Sequence, residues 1–294
     1  MTSVFTRQQL GLLVALTLIW GNNWPMLKLG VTYYPPLTFR LISMLIGLPV
    51  LGLVLAVRRV SFHVPRDQWR ELFVLTFFNL LMWHALIIFA VKDLSSGRAG
   101  IIGYTMPIFS ALFGYVWFGT RLHRWGWMGL LCAGAGVMLL LWHEFERISG
   151  HPMGVMLGLL AACAWGIGTQ LTNHARLRVS TLTLSFWSTT LCVIWMLALV
   201  LWLEPFPWHE PPAITWVAIF YNALGVFVFS QTVWLLLARS LPPLASTLSV
   251  MFIPVLGVFS GAYWLDEVLH WQDLAAVVLI VMAIAAVLWP VKQK

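Results

Sequence analysis

The stretch LTLIWGNNWPMLKLG, Leu16 to Gly30, lies in an apolar run near the N-terminus, yet it carries polar side chains that lipid cannot satisfy. In a helix, Trp20, Asn23 and Trp24 share one face, because they are three and four positions apart. Asn22 lies off that face. An unpaired amide in hydrocarbon costs on the order of several kcal/mol, so the shared face predicts a contact with protein or with a cavity.

The composition of the whole chain points to an integral membrane protein. Of its 294 residues, 61% are hydrophobic and 9% are charged, whereas soluble domains have about 45–50% apolar and about 25% charged residues. The net charge of +7 does not indicate nucleic acid, because the basic residues flank apolar runs. Cys132, Cys163 and Cys192 lie inside such runs, so they predict packing and no disulfide framework.

The apolar runs have the length of membrane-spanning helices, about 20 residues each. They are continuous and do not alternate, so they predict an all-α fold, since an open sheet edge is not tolerated in lipid. We number these runs as segments 1 to 10, at 10–29, 37–57, 72–91, 99–118, 125–142, 152–171, 182–203, 213–237, 244–265 and 271–289.

The connections between segments alternate in charge, which predicts their orientation. The positive-inside rule assigns the basic connections, and with them both termini, to the cytoplasm. The basic side holds Arg7, Arg58, Arg59, Arg66, Arg70, Arg121, Arg124, Arg176, Arg178, Arg239, Lys292 and Lys294. The other side holds Lys28, Lys92, Arg98, Arg147, Asp93, Glu144, Glu146, Glu204, Glu210, Asp266, Glu267 and Asp273.

The two halves of the chain, 1–148 and 149–294, resemble each other. A shift of 145 residues places Trp20–Gly21 on Trp165–Gly166, and a shift of 147 residues places Pro107 on Pro254. Each half has five segments, an odd number, so the second half is predicted to be inverted in the membrane. Inverted repeats are typical of transporters whose substrate site lies where the repeats meet, near the midplane.

These motifs resemble the EamA module of the drug/metabolite transporter superfamily over nearly the whole chain. The resemblance is carried by LTLIWGNNW, PPLTFRLISMLIG, YTMPIFSALFGYVWFG and SVMFIPVLGVFSGAYWLDEVLHW. Within that superfamily the chain is most similar to amino-acid exporters of the YddG type, which implies amino-acid substrates, aromatic ones included. The copies differ in two places: Glu267 has no acidic counterpart after segment 4, and Ser185 stands where the first copy has Arg40.

Polar and aromatic residues at membrane depth concentrate on segments 1, 3, 4, 6, 8 and 9, which predicts a central cavity lined by both repeats. Each residue could instead bridge two helices or anchor at the interface. The predicted substrate-binding residues are Trp20, Asn23, Trp24, Phe78, Asn79, Trp83, His84, Tyr104, Trp165, Thr169, Tyr221, Asn222 and Ser249.

Three further residues have alternative roles. Pro107 and Pro254 each remove one backbone hydrogen bond, so each is either a tolerated kink or a hinge. Arg40, about one turn into segment 2, either snorkels to the interface or has a structural role, or it forms a charge at the outer mouth of the cavity. Segments 5 and 10 carry small residues and predict peripheral packing, which would suit a homodimer as well as an intramolecular contact.

No catalytic pattern is present. The stretch HEFER at 143–147 lacks the second histidine of the zinc motif, so we expect no metal, no cofactor and no enzyme activity. An intramembrane enzyme would need paired acids or metal ligands at depth. A scaffold or regulatory subunit would need neither an inverted repeat nor a polar interior.

The expected function is export of small metabolites across the cytoplasmic (inner) membrane by alternating access. A cavity rich in aromatic rings and amides, without a buried acid, suits a zwitterionic or neutral substrate of amino-acid size. Because no Asp or Glu lies deep in a segment, we expect facilitative transport, with His84 the only local candidate for proton coupling. The alternative is a broad-specificity drug/metabolite exporter, with proton coupling as one variant.

Overall fold

The protein is built from helices. The computed structural model describes residues 6–119, 124–146, 151–204, 209–240 and 243–288, and no strand occurs within these ranges. The elements are α1 (Arg7–Tyr33), α2 (Pro36–Val57), α3 (Arg66–Asp93), α4 (Ser96–Phe118), α5 (Arg124–Glu146), α6 (Pro152–His174), α7 (Thr181–Leu203), α8 (Ala213–Phe220, Tyr221–Ser230 and Gln231–Ser240), α9 (Pro243–Leu265) and α10 (Trp271–Leu288).

Seven of these elements, α1 to α4 and α6 to α8, are long and apolar enough to cross a membrane. The described parts of α5, α9 and α10 contain shorter apolar helices, at 124–140, 252–265 and 271–286. Large apolar side chains such as Leu131, Trp202 and Val278 face outward, as expected for surfaces in contact with lipid. The predicted all-α membrane fold is confirmed for the described residues.

Helices α3 and α8 each widen into a π-helical stretch near the middle. These stretches are Phe77–Met82 in α3 and Tyr221–Ser230 in α8. A shift of 145 residues places 77–82 on 222–227, inside the second stretch. π-Helical turns free backbone groups from the regular hydrogen-bond ladder and often occur at functional sites. The two helices therefore share a local feature at equivalent positions of the two halves.

The two predicted proline kinks differ. Helix α4 is interrupted at Tyr104–Thr105, between Ser96–Gly103 and Met106–Phe118, and Pro107 lies in the first turn of the second part. This is a favourable place for proline, since the amide it lacks has no partner in the first turn. Pro254 lies inside the continuous helix α9. Only Pro107 thus adjoins a break in its helix.

Equivalent helices of the two halves cross at glycines. Helix α1 packs on α9, as α6 packs on α4. A Cβ atom on Gly21 would lie 2.6 Å from Cβ of Leu256, and one on Gly166 would lie 2.7 Å from Cβ of Phe109. Gly21 and Gly166 are related by the 145-residue shift, and Phe109 and Leu256 by the 147-residue shift. The glycine in each Trp-Gly pair therefore allows the same close crossing in both halves.

Helices α5 and α10 pack extensively against each other. Segments 5 and 10 therefore contact each other within one chain, which is one of the two roles considered for them. The homodimer considered from the sequence stays a prediction.

Candidate functional site

The central cavity, a space of about 70 Å³, is lined by helices from both halves. Six of its fourteen lining residues are Trp, Tyr or Phe. Trp24 meets Tyr104 edge-on at 6.3 Å between ring centroids, and Trp83 meets Trp165 in the same way at 5.1 Å. The lining residues are Trp20, Asn23, Trp24, Leu27, Arg40, Trp83, His84, Ile87, Tyr104, Met106, Trp165, Val226, Phe227 and Gln231. Seven of these, Trp20, Asn23, Trp24, Trp83, His84, Tyr104 and Trp165, were predicted to bind substrate.

A second cavity, of about 180 Å³, adjoins the first and shares Trp165 and Gln231 with it. It contains Asn79 and Thr169 of the predicted site. Its other polar groups are Thr76, Thr172, Asn173, Ser185, Ser188 and Thr189. The sequence does not show whether an isolated Ser or Thr on α7 lines a cavity or contacts a neighbouring helix, so these residues were not predicted. We call the two spaces the central cavity and the side cavity.

Four predicted site residues are not seen in either cavity. Phe78 packs edge-on against Phe77, and the Tyr221 hydroxyl donates to the Ile19 carbonyl, 2.7 Å away. Asn222 is fully buried behind the central cavity, where it contacts Arg40. Ser249 lies in α9, but its side chain is outside the described residues.

Arg40 does not snorkel to the interface, because only 1% of its surface is exposed. It lines the central cavity, from a position near the start of α2. Its Nη1 donates to Oδ1 of Asn222 at 2.9 Å, and its guanidinium carbon lies 5.8 Å from the centre of the Phe227 ring. The partner comes from α8, 182 positions along the chain, which no local pattern in segment 2 reveals.

Several polar atoms that face these cavities are buried without a hydrogen-bond partner. In the central cavity they are Oδ1 of Asn23, Nε of Arg40 and Nδ1 of His84, and in the side cavity Nδ2 of Asn79 and Oγ of Ser185. Buried polar groups in proteins are nearly always paired, so such a cluster indicates groups that water or a ligand satisfies. Asn22, by contrast, accepts a hydrogen bond from Nε1 of Trp264 at 3.0 Å, between α1 and α9.

One end of the helix assembly, which we call the acidic end, holds the α1–α2, α3–α4, α7–α8 and α9–α10 connections. There two carboxylates bind helix N-termini from the opposite half. Glu204 accepts from the backbone amides of Leu37 and Thr38 at 2.7 and 2.8 Å. Glu267 accepts from the amide of Ser96 at 2.7 Å and from its hydroxyl at 2.9 Å. Free amides and the helix dipole favour negative charge at an N-terminus, so both contacts hold the acidic end together.

Further ionic contacts reinforce the acidic end. Nε of Arg98 lies 2.6 Å from Oδ1 of Asp273, in a pair of buried side chains that joins α4 to α10. Nζ of Lys28 donates to the carbonyls of Lys92 and Leu94, each 2.8 Å away, at the end of α3. The sequence predicted that these acids and bases lie on one side of the membrane. It did not predict which of them pair.

Tyr34 adds a link between α1 and the start of α8. Its hydroxyl donates to the His209 carbonyl at 2.9 Å. Burial, together with the nearby Glu204 carboxylate, raises the pKa of the Tyr34 hydroxyl, so it stays protonated and keeps donating across the physiological pH range.

The opposite end, the basic end, is formed by residues 58–65 and 175–180. An ion pair there joins Arg178 to Asp67 at 3.3 Å; it is exposed, and exposed pairs contribute about 0–1 kcal/mol. The side cavity extends toward this end, since Thr172 and Asn173 lie near the end of α6 and Leu184 lies near the start of α7.

Among the described residues, no group of three or more His, Cys, Asp or Glu could hold a metal ion. The residues that line the two cavities likewise include no Asp or Glu.

Comparison with known proteins identifies the class of this chain. The model of the EamA-like transporter family matches residues 9–142 and 152–289. Similar curated proteins include the uncharacterized transporter YoaV of Bacillus subtilis, 24% identical over 87% of this chain and 88% of the relative. The uncharacterized inner membrane transporter YedA of Escherichia coli K12 is also 24% identical, over 94% and 89%.

A probable amino-acid metabolite efflux pump of Escherichia coli K12 is 26% identical, over 92% of this chain and 91% of the relative. A crystal structure 20% identical to the chain superposes with a TM-score of 0.68 over 96% of both chains, which shows the same fold. The family match covers most of the chain, and the seven apolar helices agree with it. The chain therefore belongs to the EamA-like transporter family and is a multi-pass membrane transporter.

Proposed function

We propose that the protein exports amino acids and related small metabolites across the cytoplasmic membrane by alternating access. The observation that carries the proposal is the central cavity, which both halves line and which adjoins a side cavity toward the basic end. At the acidic end, the Glu204 and Glu267 carboxylates join the two halves. Alternating access requires a cavity between the two halves that opens toward one end while contacts hold the other end together.

The proposed topology is ten membrane-spanning helices in two inverted repeats, 1–148 and 149–294. The matched π-helical stretches and the two glycine crossings support it, because each feature recurs at the repeat spacing. The positive-inside rule assigns the basic end and both termini to the cytoplasm. The cavity would then load from the cytoplasm, as an exporter requires.

The proposed substrate class follows from the cavity walls. Aromatic rings offer stacking surfaces for apolar side chains, and Asn23 and Arg40 offer polar contacts. The cavity linings lack the carboxylate that a cationic drug would require. The similar efflux pump is named for amino-acid metabolites, and the YddG-type resemblance points the same way. A broad-specificity drug exporter is the alternative.

The test is counterflow of radiolabelled amino acids in proteoliposomes that contain the purified protein. We expect saturable exchange for at least one amino acid and none in vesicles without protein. A panel of the twenty amino acids without saturable exchange, together with exchange of a cationic drug, would replace this proposal with the drug exporter.

A further inference from the structure

The central cavity contains a buried positive charge that the described residues leave without a counter-ion. Arg40 is 1% exposed, and it is the only Lys or Arg among the residues that line this cavity. Within the described parts of the chain it forms no ion pair with a carboxylate. Burying an ion without a partner costs several kcal/mol, so an empty cavity leaves this charge poorly compensated.

The hydrogen bonds of Arg40 are also incomplete. A guanidinium has five N–H donors. One donor bonds Oδ1 of Asn222, while Nε is buried without a partner. Asn222 is itself held by a bond from its Nδ2 to the Ala218 carbonyl, at 3.1 Å. A fixed neutral amide thus orients the guanidinium but leaves its charge available.

The same cavity presents an acceptor as well. Oδ1 of Asn23, on α1, is buried there without a donor. An amide oxygen accepts from an ammonium group, whereas a guanidinium binds a carboxylate in a bidentate manner. The unpaired groups of the cavity therefore match the two charged groups of a zwitterion.

We propose that Arg40 is the anchor for the substrate carboxylate and that a free carboxylate is required for transport. This inference rests on the proposed function and narrows its substrate class to zwitterions and small carboxylates. Binding the carboxylate would supply the counter-ion and the hydrogen-bond partner that Arg40 lacks. Amino-acid amides have no carboxylate, so they would supply neither the counter-ion nor the carboxylate hydrogen bonds.

The test compares an amino acid with its own amide in the counterflow assay, for an amino acid that the wild-type protein exchanges saturably. We expect the amide to compete at least tenfold less well. The informative variant is Asn222→Asp, nearly isosteric, which places a carboxylate where Oδ1 lies 2.9 Å from Nη1 of Arg40. The substitution also removes the hydrogen bond from Nδ2 to the Ala218 carbonyl, so thermal unfolding is measured beside exchange. At temperatures where the variant is folded, it should bind the amino acid at least tenfold more weakly, because Arg40 is already neutralised.

Arg40→Lys, which keeps the charge and loses the planar fork, should raise the half-saturating concentration about tenfold. The control is Arg70→Lys, the same substitution at an exposed arginine in α3 that lines neither cavity, with unchanged exchange expected. Equal competition by acid and amide, or wild-type exchange by Asn222→Asp, would overturn the anchor and leave the exporter intact. Absence of saturable exchange for every amino acid would overturn the proposed function, and the anchor with it.

Discussion

Trp165 lies where the two cavities meet, because it lines both, as Gln231 does. Its repeat equivalent, Trp20, lines the central cavity only and packs against Trp234 at 5.7 Å between ring centroids. The sequence treats these tryptophans as a symmetric pair, whereas the structure gives each a different neighbour. Trp165 is therefore the more sensitive position for a substrate that moves between the cavities.

We expect Trp165→Ala to raise the half-saturating concentration for amino-acid exchange about tenfold. An aromatic pair contributes about 0.5–1.5 kcal/mol beyond its buried area, and the substrate loses its stacking surface as well. Counterflow measures the effect. The matched control is Trp202→Ala, whose side chain is 80% exposed on the outer surface. Equal effects of the two substitutions would contradict a cavity role for Trp165.

At the scale of elements, the helix crossings depend on Gly21 and Gly166. A Cβ atom on Gly166 would also lie 2.8 Å from the backbone nitrogen of Ser110, which cannot move independently of its helix. The α4–α6 crossing therefore has no room for even one added methyl group. This explains why a glycine follows each of the two repeat-related tryptophans.

Gly166→Ala should destabilise the protein by about 1–3 kcal/mol, because an overpacked contact forces the backbone apart. Thermal unfolding of the detergent-solubilised protein should show a lower midpoint than the wild type. Gly134→Ala is the control, since a Cβ atom there meets nothing within 4 Å, and alanine favours the helix by up to about 1 kcal/mol. A midpoint for Gly166→Ala at or above that of Gly134→Ala would contradict the close crossing.

The contact that Glu267 makes at the acidic end has no equivalent in the other half of the chain. Glu267 binds the start of α4 in the first half, and the sequence already shows no acid at the corresponding place after segment 4. The first copy therefore has no acid that could make the equivalent contact. This explains why the departure from repeat symmetry occurs at a helix N-terminus, where negative charge is favoured.

Glu267→Gln should weaken this closure by about 1–2 kcal/mol, because the hydrogen bonds to Ser96 lose their charge. A population shift of about five- to thirtyfold toward opening corresponds to that energy. We would measure it by labelling Leu27→Cys, in a chain without the native cysteines, with a membrane-impermeant thiol reagent added at the acidic end. Leu27 lines the central cavity and is 1% exposed.

The control for this experiment is Asp266→Asn, which neutralises the neighbouring exposed acid. Asp266 has a φ of 51°, which asparagine also tolerates. We expect its labelling rate to equal that of the wild type. If Glu267→Gln is labelled as slowly as the wild type, the carboxylate does not hold the acidic end together.

At the scale of the whole molecule, the distribution of acids bears on how transport is driven. The buried carboxylates Glu204 and Asp273 lie at the acidic end, where each bonds backbone amides or an arginine. Neither lines the central or the side cavity. Proton-coupled carriers use ionisable groups inside the membrane as relays. The placement of these acids supports facilitative transport along the substrate gradient.

We therefore expect no uphill accumulation of amino acid when a pH gradient is imposed on proteoliposomes with equal substrate inside and outside. The same vesicles must show counterflow, which proves that the protein is active. Accumulation driven by the pH gradient would contradict facilitative transport and direct attention to His84, the titratable imidazole in the central cavity.

Much of the architecture and part of the site were accessible from the sequence. Long apolar runs must become helices in lipid, because every backbone group needs an internal partner there. For the same reason, polar residues such as Asn23 and His84 predicted a protected cavity, and both line it. Helical spacing also separated Asn23 from Asn22, which instead bonds Trp264.

What required the tertiary structure was the pairing of residues far apart in the chain. Arg40 meets Asn222 across 182 positions, and Glu267 meets Ser96 across 171. Local pattern fixes which way a side chain points from its own helix, but not which helix stands opposite. The sequence by itself determined a helical membrane protein and predicted its repeated design. Only the tertiary structure decided that Arg40 lies inside the cavity and that carboxylates hold the acidic end together, because both depend on packing between the halves.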